Sequence, residues 1–186
     1  YEGENTPSPA LIDKNLNNTL IINGVSKAYS MTGWRVGWLI ANNEGMGLAK
    51  KIQSQATSNV SNVSQLAAES ALKNGLDVTK EMKIAFERRR NYAIKKLESI
   101  DNLSVVNGSG AFYLYVDVNF YCTGKFLNIN SSEDFCNWLI ENYFIAFVPG
   151  EVFGTNGFMR LSYALSDQEL EEGLERLATA VNDLNG

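Results

Sequence analysis

The chain has 186 residues, 45% hydrophobic and 20% charged, with a formal net charge of −5. This is ordinary globular composition, enough for one moderate domain or part of a larger one. The acidic balance argues against a general nucleic-acid surface, no apolar run reaches membrane-spanning length, and the lack of histidine beside two spaced cysteines, Cys122 and Cys136, disfavours a metal site.

Tyr1-Glu2-Gly3-Glu4 has neither a start methionine nor an export signal, so the chain is expected to begin inside a longer gene product. The cysteines are expected as free thiols of a reducing, cytoplasmic compartment. Residues 1–15 hold Pro7 and Pro9 and read as a loop with one helical turn near Ala10 to Lys14. Thr19-Leu20-Ile21-Ile22 reads as a short buried strand and Trp38-Leu39-Ile40-Ala41 as a second. The polar stretch 23–37 lies between them, at the kind of sheet edge where α/β proteins place their chemistry. A helix is predicted over about 45–54, a polar connection over 57–62, and a helix over 63–73 ended by Asn74-Gly75. A long helix follows from Asp77 or Thr79 to Ser99. Its Arg88-Arg89-Arg90 run points in three directions about 100° apart, and reads as a solvated face with interdomain salt bridges.

Strands are then expected at 103–106 and 111–118, around the turn Asn107-Gly108-Ser109-Gly110, followed by a longer loop over 119–130. Ser131 or Ser132 caps a helix whose buried face holds Phe135, Trp138 and Leu139. A strand at 145–148 runs into Pro149-Gly150-Glu151-Val152-Phe153-Gly154. The last strand, 158–164, carries Arg160. Ser166-Asp167-Gln168-Glu169 is a capping box, and Leu170, Leu174, Leu177, Val181 and Leu184 mark one face of the final helix.

Two places carry chemistry. Lys27 and Arg35 stand eight residues apart in the polar loop. A deprotonated lysine amine can condense with an aldehyde, and a guanidinium fork can hold a phosphate. Ser26, Ser30 and Thr32 could add hydroxyls, and Gly24, Gly33 and Gly37 let backbone approach a ligand. A phosphorylated aldehyde, pyridoxal 5′-phosphate, asks for this combination. By residue type alone a surface lysine and a structural arginine remain the commoner alternative. Arg160, inside an apolar run, needs an anionic partner, either a nearby carboxylate or a ligand. A serine–lysine hydrolase is disfavoured because the position three before Lys27 is Gly24. Gly124-Lys125 lacks the rest of a nucleotide-phosphate loop.

The full string Gly24-Val25-Ser26-Lys27, with Arg35-Val36-Gly37 eight positions on, resembles the cofactor-lysine signature of the class I aminotransferases, fold type I pyridoxal-phosphate enzymes. Gly110-Ala111-Phe112-Tyr113-Leu114-Tyr115, Pro149 to Gly154, and Arg160-Leu161-Ser162-Tyr163-Ala164 resemble small-domain strings of the same family, most like its bacterial aspartate branch. The resemblance implies an α/β fold, the C-terminal part of a fold type I transferase. Residues 1–75 would be the last piece of the large domain and 76–186 the small domain, with a long linking helix at its start. It implies Lys27 as the cofactor lysine and general base, Arg35 and Ser26 as phosphate ligands, and Arg160 as the ligand of the substrate α-carboxylate. It also implies a homodimer in which Ser58 and Asn59 reach the neighbouring subunit. The implied substrates are an amino acid and a 2-keto acid, expected to be aspartate and 2-oxoglutarate, with no nucleic acid and no membrane. One departure is Gly24, where some members carry a phosphate-binding serine. The family's Asp-x-x-Tyr segment lies upstream, so the chain alone is expected to be inactive. Other readings are a different fold type I enzyme (aromatic or alanine aminotransferase, carbon–sulfur lyase) or a non-enzymatic effector-binding domain.

Overall fold

A computed structural model describes residues 1–3 and 6–186; residues 4 and 5 of the expected N-terminal loop lie outside the described residues. The chain divides into two units, Gly3–Lys83, and Tyr1–Glu2 with Ile84–Gly186.

In the first unit a 3-10 turn at Pro9–Leu11 precedes β1 (Ile21–Gly24), a second 3-10 turn at Thr32–Trp34, β2 (Gly37–Ile40), α1 (Asn43–Ala56) and α2 (Asn62–Asn74). β1 and β2 pair antiparallel, Ile21 opposite Ile40 and Gly24 opposite Gly37. The first strand therefore lies later than its apolar run suggests, because pairing with β2 takes in Asn23 and Gly24 instead of Thr19 and Leu20. Helix α1 starts earlier than expected, because the Asn42 side chain accepts the Gly45 N–H at 2.9 Å and caps it. Val25 and Ala68 are this unit's buried apolar residues among those described, while Leu20, Ile22, Leu48 and Ile52 are all more than half exposed. A two-stranded sheet is marginal by itself, and outward-facing apolar side chains mark a surface suited to burial.

The long helix α3 (Leu76–Glu98) leads into the second unit, which continues with β3 (Ser104–Val106), β4 (Tyr113–Asp117), α4 (Ser132–Tyr143), β5 (Val148–Pro149), β6 (Phe158–Ser162) and α5 (Asp167–Asn185). The strands form one antiparallel sheet in the order β3-β4-β6-β5. Strand alternation sorts its two faces. Leu114, Val116, Met159 and Leu161 are at most 4% exposed. They join Ala93 and Leu97 of α3, Phe135 and Leu139 of α4, and Leu170, Leu174, Leu177 and Val181 of α5 in one core. The α5 residues recur at helical spacing, which is why this helix buries a single stripe. Tyr113, Tyr115, Phe158 and Arg160 take the alternate positions and are half-buried.

Several boundaries differ from the sequence reading. Ala111 has a left-handed φ of 61°, so the turn consumes it and β4 starts at Tyr113. β5 is only Val148–Pro149, later and shorter than the expected 145–148, because its pairing with β6 begins at Val148 opposite Arg160. The expected loop over 119–130 contains a 3-10 turn, Asn119–Tyr121. There the fully buried Tyr121 donates its hydroxyl to the Asp101 carbonyl at 2.8 Å. The arginine run is not one solvated face. Arg88 and Arg89 both pair with Asp167, but Arg90 is 2% exposed. It donates to the Glu2 carboxylate, to the Gly108 carbonyl at 3.0 Å and to Asn91. A charge that deep has to be paired and hydrogen-bonded.

Leu177 is fully buried on the α5 stripe. Leu177→Ala is expected to lower the unfolding free energy of this chain by about 2–5 kcal/mol. Chemical denaturation would read this as a lower midpoint at unchanged slope.

Candidate active site

Ser26, Lys27 and Arg35 line one open cavity of about 480 Å³ in the first unit, together with Asn23, Gly24 and Gly37. The glycine pair explains how the loop ends come together. A Cβ on Gly24 would lie 2.9 Å from the Val36 carbonyl oxygen, and one on Gly37 would lie 3.0 Å from that of Asn23. Larger residues would wedge the two strands apart just where the cavity opens. Val25, fully buried, fixes the base of the loop, and its N–H reaches the Val36 carbonyl at 3.3 Å. Arg35 takes a left-handed φ of 54°, uncommon for a residue with a side chain. Its Nη1 donates to the Thr32 carbonyl at 3.1 Å, which orients the guanidinium and leaves other N–H groups for an anion. Lys27 is exposed on the cavity wall. An amine, a guanidinium and a hydroxyl in one cavity of this size fit a phosphorylated aldehyde. Ser58 and Asn59 are exposed just beyond α1 and are not among the residues lining this cavity; Ser58 donates its N–H to the Gln53 carbonyl at 3.0 Å.

Arg160 belongs to the second unit. On β6 it sits opposite Tyr115 of β4 and Val148 of β5. Its guanidinium carbon lies 4.4 Å from the Tyr113 ring centroid and 4.8 Å from that of Phe153. Among the described residues no carboxylate pairs with it. Of the two partners the sequence left open, the internal carboxylate is therefore not found. Ring faces attract the cation without consuming its N–H groups, which stay available to an anionic ligand. Phe153 lies on the turn after β5, and that turn is firmly held. A Cβ on the buried Gly150 would lie 2.1 Å from the Thr155 carbonyl oxygen. Glu151 accepts the N–H of Ser132 at 3.1 Å and its hydroxyl at 2.5 Å, at the start of α4. Burial by itself would raise the Glu151 pKa, but the hydroxyl of Ser132 and nearby backbone N–H groups outweigh it and hold the carboxyl below its ordinary value.

The cysteines are free; burial pushes the thiol of Cys122 up to about 11 and that of Cys136 up to about 12, so neither is a thiolate nucleophile at neutral pH. Among the described residues no acidic, histidine or cysteine cluster could hold a metal ion, and no helix is long and apolar enough to cross a membrane.

The family model for aminotransferase class I and II matches residues 2–177. The chain belongs to this family. An aspartate aminotransferase of Rhizobium meliloti (strain 1021) is 41% identical over 189 residues, covering 100% of this chain and 46% of that protein. The crystal structure of the aspartate aminotransferase from Rhizobium meliloti superposes with a TM-score of 0.90 at 40% identity, covering 99% of this chain and 47% of that one. An aromatic aminotransferase structure from Pyrococcus horikoshii gives a TM-score of 0.89 at 30% identity, covering 98% and 48%. The chain spans about half the length of these relatives. Its mixed helix and sheet structure is the C-terminal part of a fold type I α/β transferase. The class I aminotransferase family depends on pyridoxal phosphate.

The sequence pointed to Lys27, Arg35 and Arg160 but not to Phe153 or Tyr113. Phe153 stands inside the string Pro149 to Gly154, and Tyr113 lies two residues from Tyr115 on the same strand face. The nearness of either ring to Arg160 depends on pairing across the sheet.

Because the folded pKa of Glu151 is depressed, its contribution is present above the ordinary value of 4.5 and is lost as pH falls through the lower folded value. Glu151→Gln is expected to lower the melting temperature near neutral pH, and the gap to the parent should close on acidification below that value. Melting curves across the acid range measure this.

Proposed function

We propose that the full-length protein carrying this chain is a pyridoxal-phosphate-dependent aminotransferase that exchanges an amino group between L-aspartate and 2-oxoglutarate. The observation that carries this reading is the meeting of Lys27, Arg35 and Ser26 around one cavity, in a member of a pyridoxal-phosphate-dependent family. Arg35 holds the cofactor phosphate through its remaining N–H groups, and Ser26 Oγ adds a donor. Lys27 Nζ would hold the cofactor covalently at rest and, once the incoming substrate amine has displaced it, would serve as general base for the proton on the substrate Cα. Arg160 takes the substrate α-carboxylate in a two-bond fork, which fixes how that Cα–H is presented. The cofactor, when bound, supplies the electron withdrawal that makes the Cα proton acidic.

Aspartate is the proposed donor because the Rhizobium meliloti relative of that name is 41% identical. The aromatic aminotransferase of Pyrococcus horikoshii, at 30% identity, supports an aromatic donor less strongly. Product analysis with aspartate and with phenylalanine separates the two.

Residues 1–75 are the proposed last piece of the large domain and 76–186 the small domain. The exposed Ile22, Leu48 and Ile52 support this, as apolar surface that the rest of a large domain would cover. On this reading the 186-residue chain does not turn over alone. The full-length protein is a cytoplasmic homodimer in which Ser58 and Asn59 reach the neighbouring subunit's site.

Borohydride reduction of the full-length protein with added pyridoxal phosphate, followed by peptide mapping, is expected to find the label on Lys27. Lys27→Ala should remove that label and slow transamination by more than roughly a thousandfold. Labelling scattered over many lysines would overturn the assignment. Turnover of aspartate by the pure 186-residue chain would overturn the expectation that this half is inactive.

A further inference from the structure

We infer that Phe153 and Tyr113 are positioning residues for Arg160, holding its guanidinium so that the N–H edge, and not the flat face, meets an incoming carboxylate. The inference rests on the proposed role of Arg160 as the substrate-carboxylate ligand.

An arginine side chain is long and carries considerable rotamer freedom, so a guanidinium on a strand needs something to fix it. In most buried settings an acidic residue does this. Here no carboxylate of the described residues pairs with Arg160, and its guanidinium carbon instead lies over the rings of Tyr113, at 4.4 Å, and Phe153, at 4.8 Å. The distinction matters chemically. A permanent carboxylate would occupy the fork and compete with a ligand of the same chemistry. An aromatic face attracts the cation through its quadrupole and accepts none of the in-plane N–H bonds. The group is thus oriented while its charge stays unneutralised.

Both rings have ring neighbours of their own, Tyr113 beside Phe112 at 4.3 Å and Phe153 edge-on to Tyr115 at 6.4 Å. Tyr113 precedes Tyr115 by two residues on β4, so it shares a sheet face with Tyr115 and, across the strand pair, with Arg160. Tyr115 stacks on Phe158 at 5.1 Å with ring planes 7° apart, and meets Phe153 edge-on at 6.4 Å. The turn that carries Phe153 is anchored at its start. Gly150 has no room for a Cβ beside the Thr155 and Phe158 carbonyls, and Glu151 is bound to the start of α4 through Ser132. The anchored turn therefore reaches Arg160 through one aromatic ring.

The test uses full-length protein loaded with cofactor. Propionate binding is measured by calorimetry, and KM and kcat are measured with aspartate. Phe153→Leu should weaken propionate and raise KM by roughly fivefold while kcat stays within about twofold. Phe153→Tyr, which keeps a ring, should behave as the parent. Tyr113→Leu and Tyr113→Phe should repeat that contrast. Arg160→Lys serves as the reference and should weaken propionate by more than about tenfold. If Arg160→Lys leaves propionate binding unchanged, the carboxylate role of Arg160 falls and the inference falls with it. If Arg160→Lys weakens binding but the ring-to-leucine variants do not, the positioning role alone is overturned. A ring-to-leucine variant that lowers kcat and melting temperature together with KM unchanged would show packing instead, and would also overturn it.

Discussion

A positive charge on the middle of an apolar strand is costly unless something answers it, and Arg160 is such a charge. Its strand neighbours Met159 and Leu161 must face the core, being at most 4% exposed, so the alternation of β6 leaves Arg160 no choice of face. On that face it meets the rings of Tyr113 and Phe153, and among the described residues it pairs with no carboxylate. The same alternation sorts the rest of the sheet. The helices join the core on the side of Leu114 and Val116, and the alternate side carries tyrosines 113 and 115. The turn at 149–154 is braced tightly enough to keep Phe153 in contact. A substitution that loosened the turn would act on the charge without touching it.

The two units differ in how much of their order they supply themselves. The second unit buries side chains from three helices and from the strands β4 and β6 in one core, with Val105 of β3 packed against it. The first unit buries little beyond Val25 and Ala68. What holds its loop is local: two glycines that let β1 and β2 close to backbone contact, a valine under the turn, and a left-handed arginine. Such constraints fix the geometry of a short segment without creating a core.

This difference decides what could be read from the sequence. The capping box at Ser166 to Glu169 and the leucine stripe of α5 were legible because both depend on residues three or four apart. The signature around Lys27 was legible as a string, and its residues do line one cavity. Strand limits were less so. Whether Asn23 and Gly24 belong to β1 depends on β2, and whether Ala111 belongs to β4 depends on its backbone angle. Arg90 was misread for a related reason. Its partners Glu2 and Gly108 lie 88 and 18 residues away, and nothing local marks it as buried while Arg88 stays exposed. Phe153 escaped notice in the same way, since its proximity to Arg160 is a property of the sheet.

On the proposed function, Arg35 and Arg160 meet one requirement by two means. An arginine meant to receive an anion must be held in place by partners that do not neutralise it, or the ligand has first to displace them. Arg35 is held by the Thr32 carbonyl at 3.1 Å, a neutral acceptor that occupies one N–H of the fork. Arg160 is held by ring faces that occupy none. By contrast Arg88, Arg89 and Arg90 each end on a carboxylate. The same residue type thus divides within the described residues into arginines paired with an internal carboxylate and arginines that are not. The dividing quantity is whether an internal anion already fills the fork.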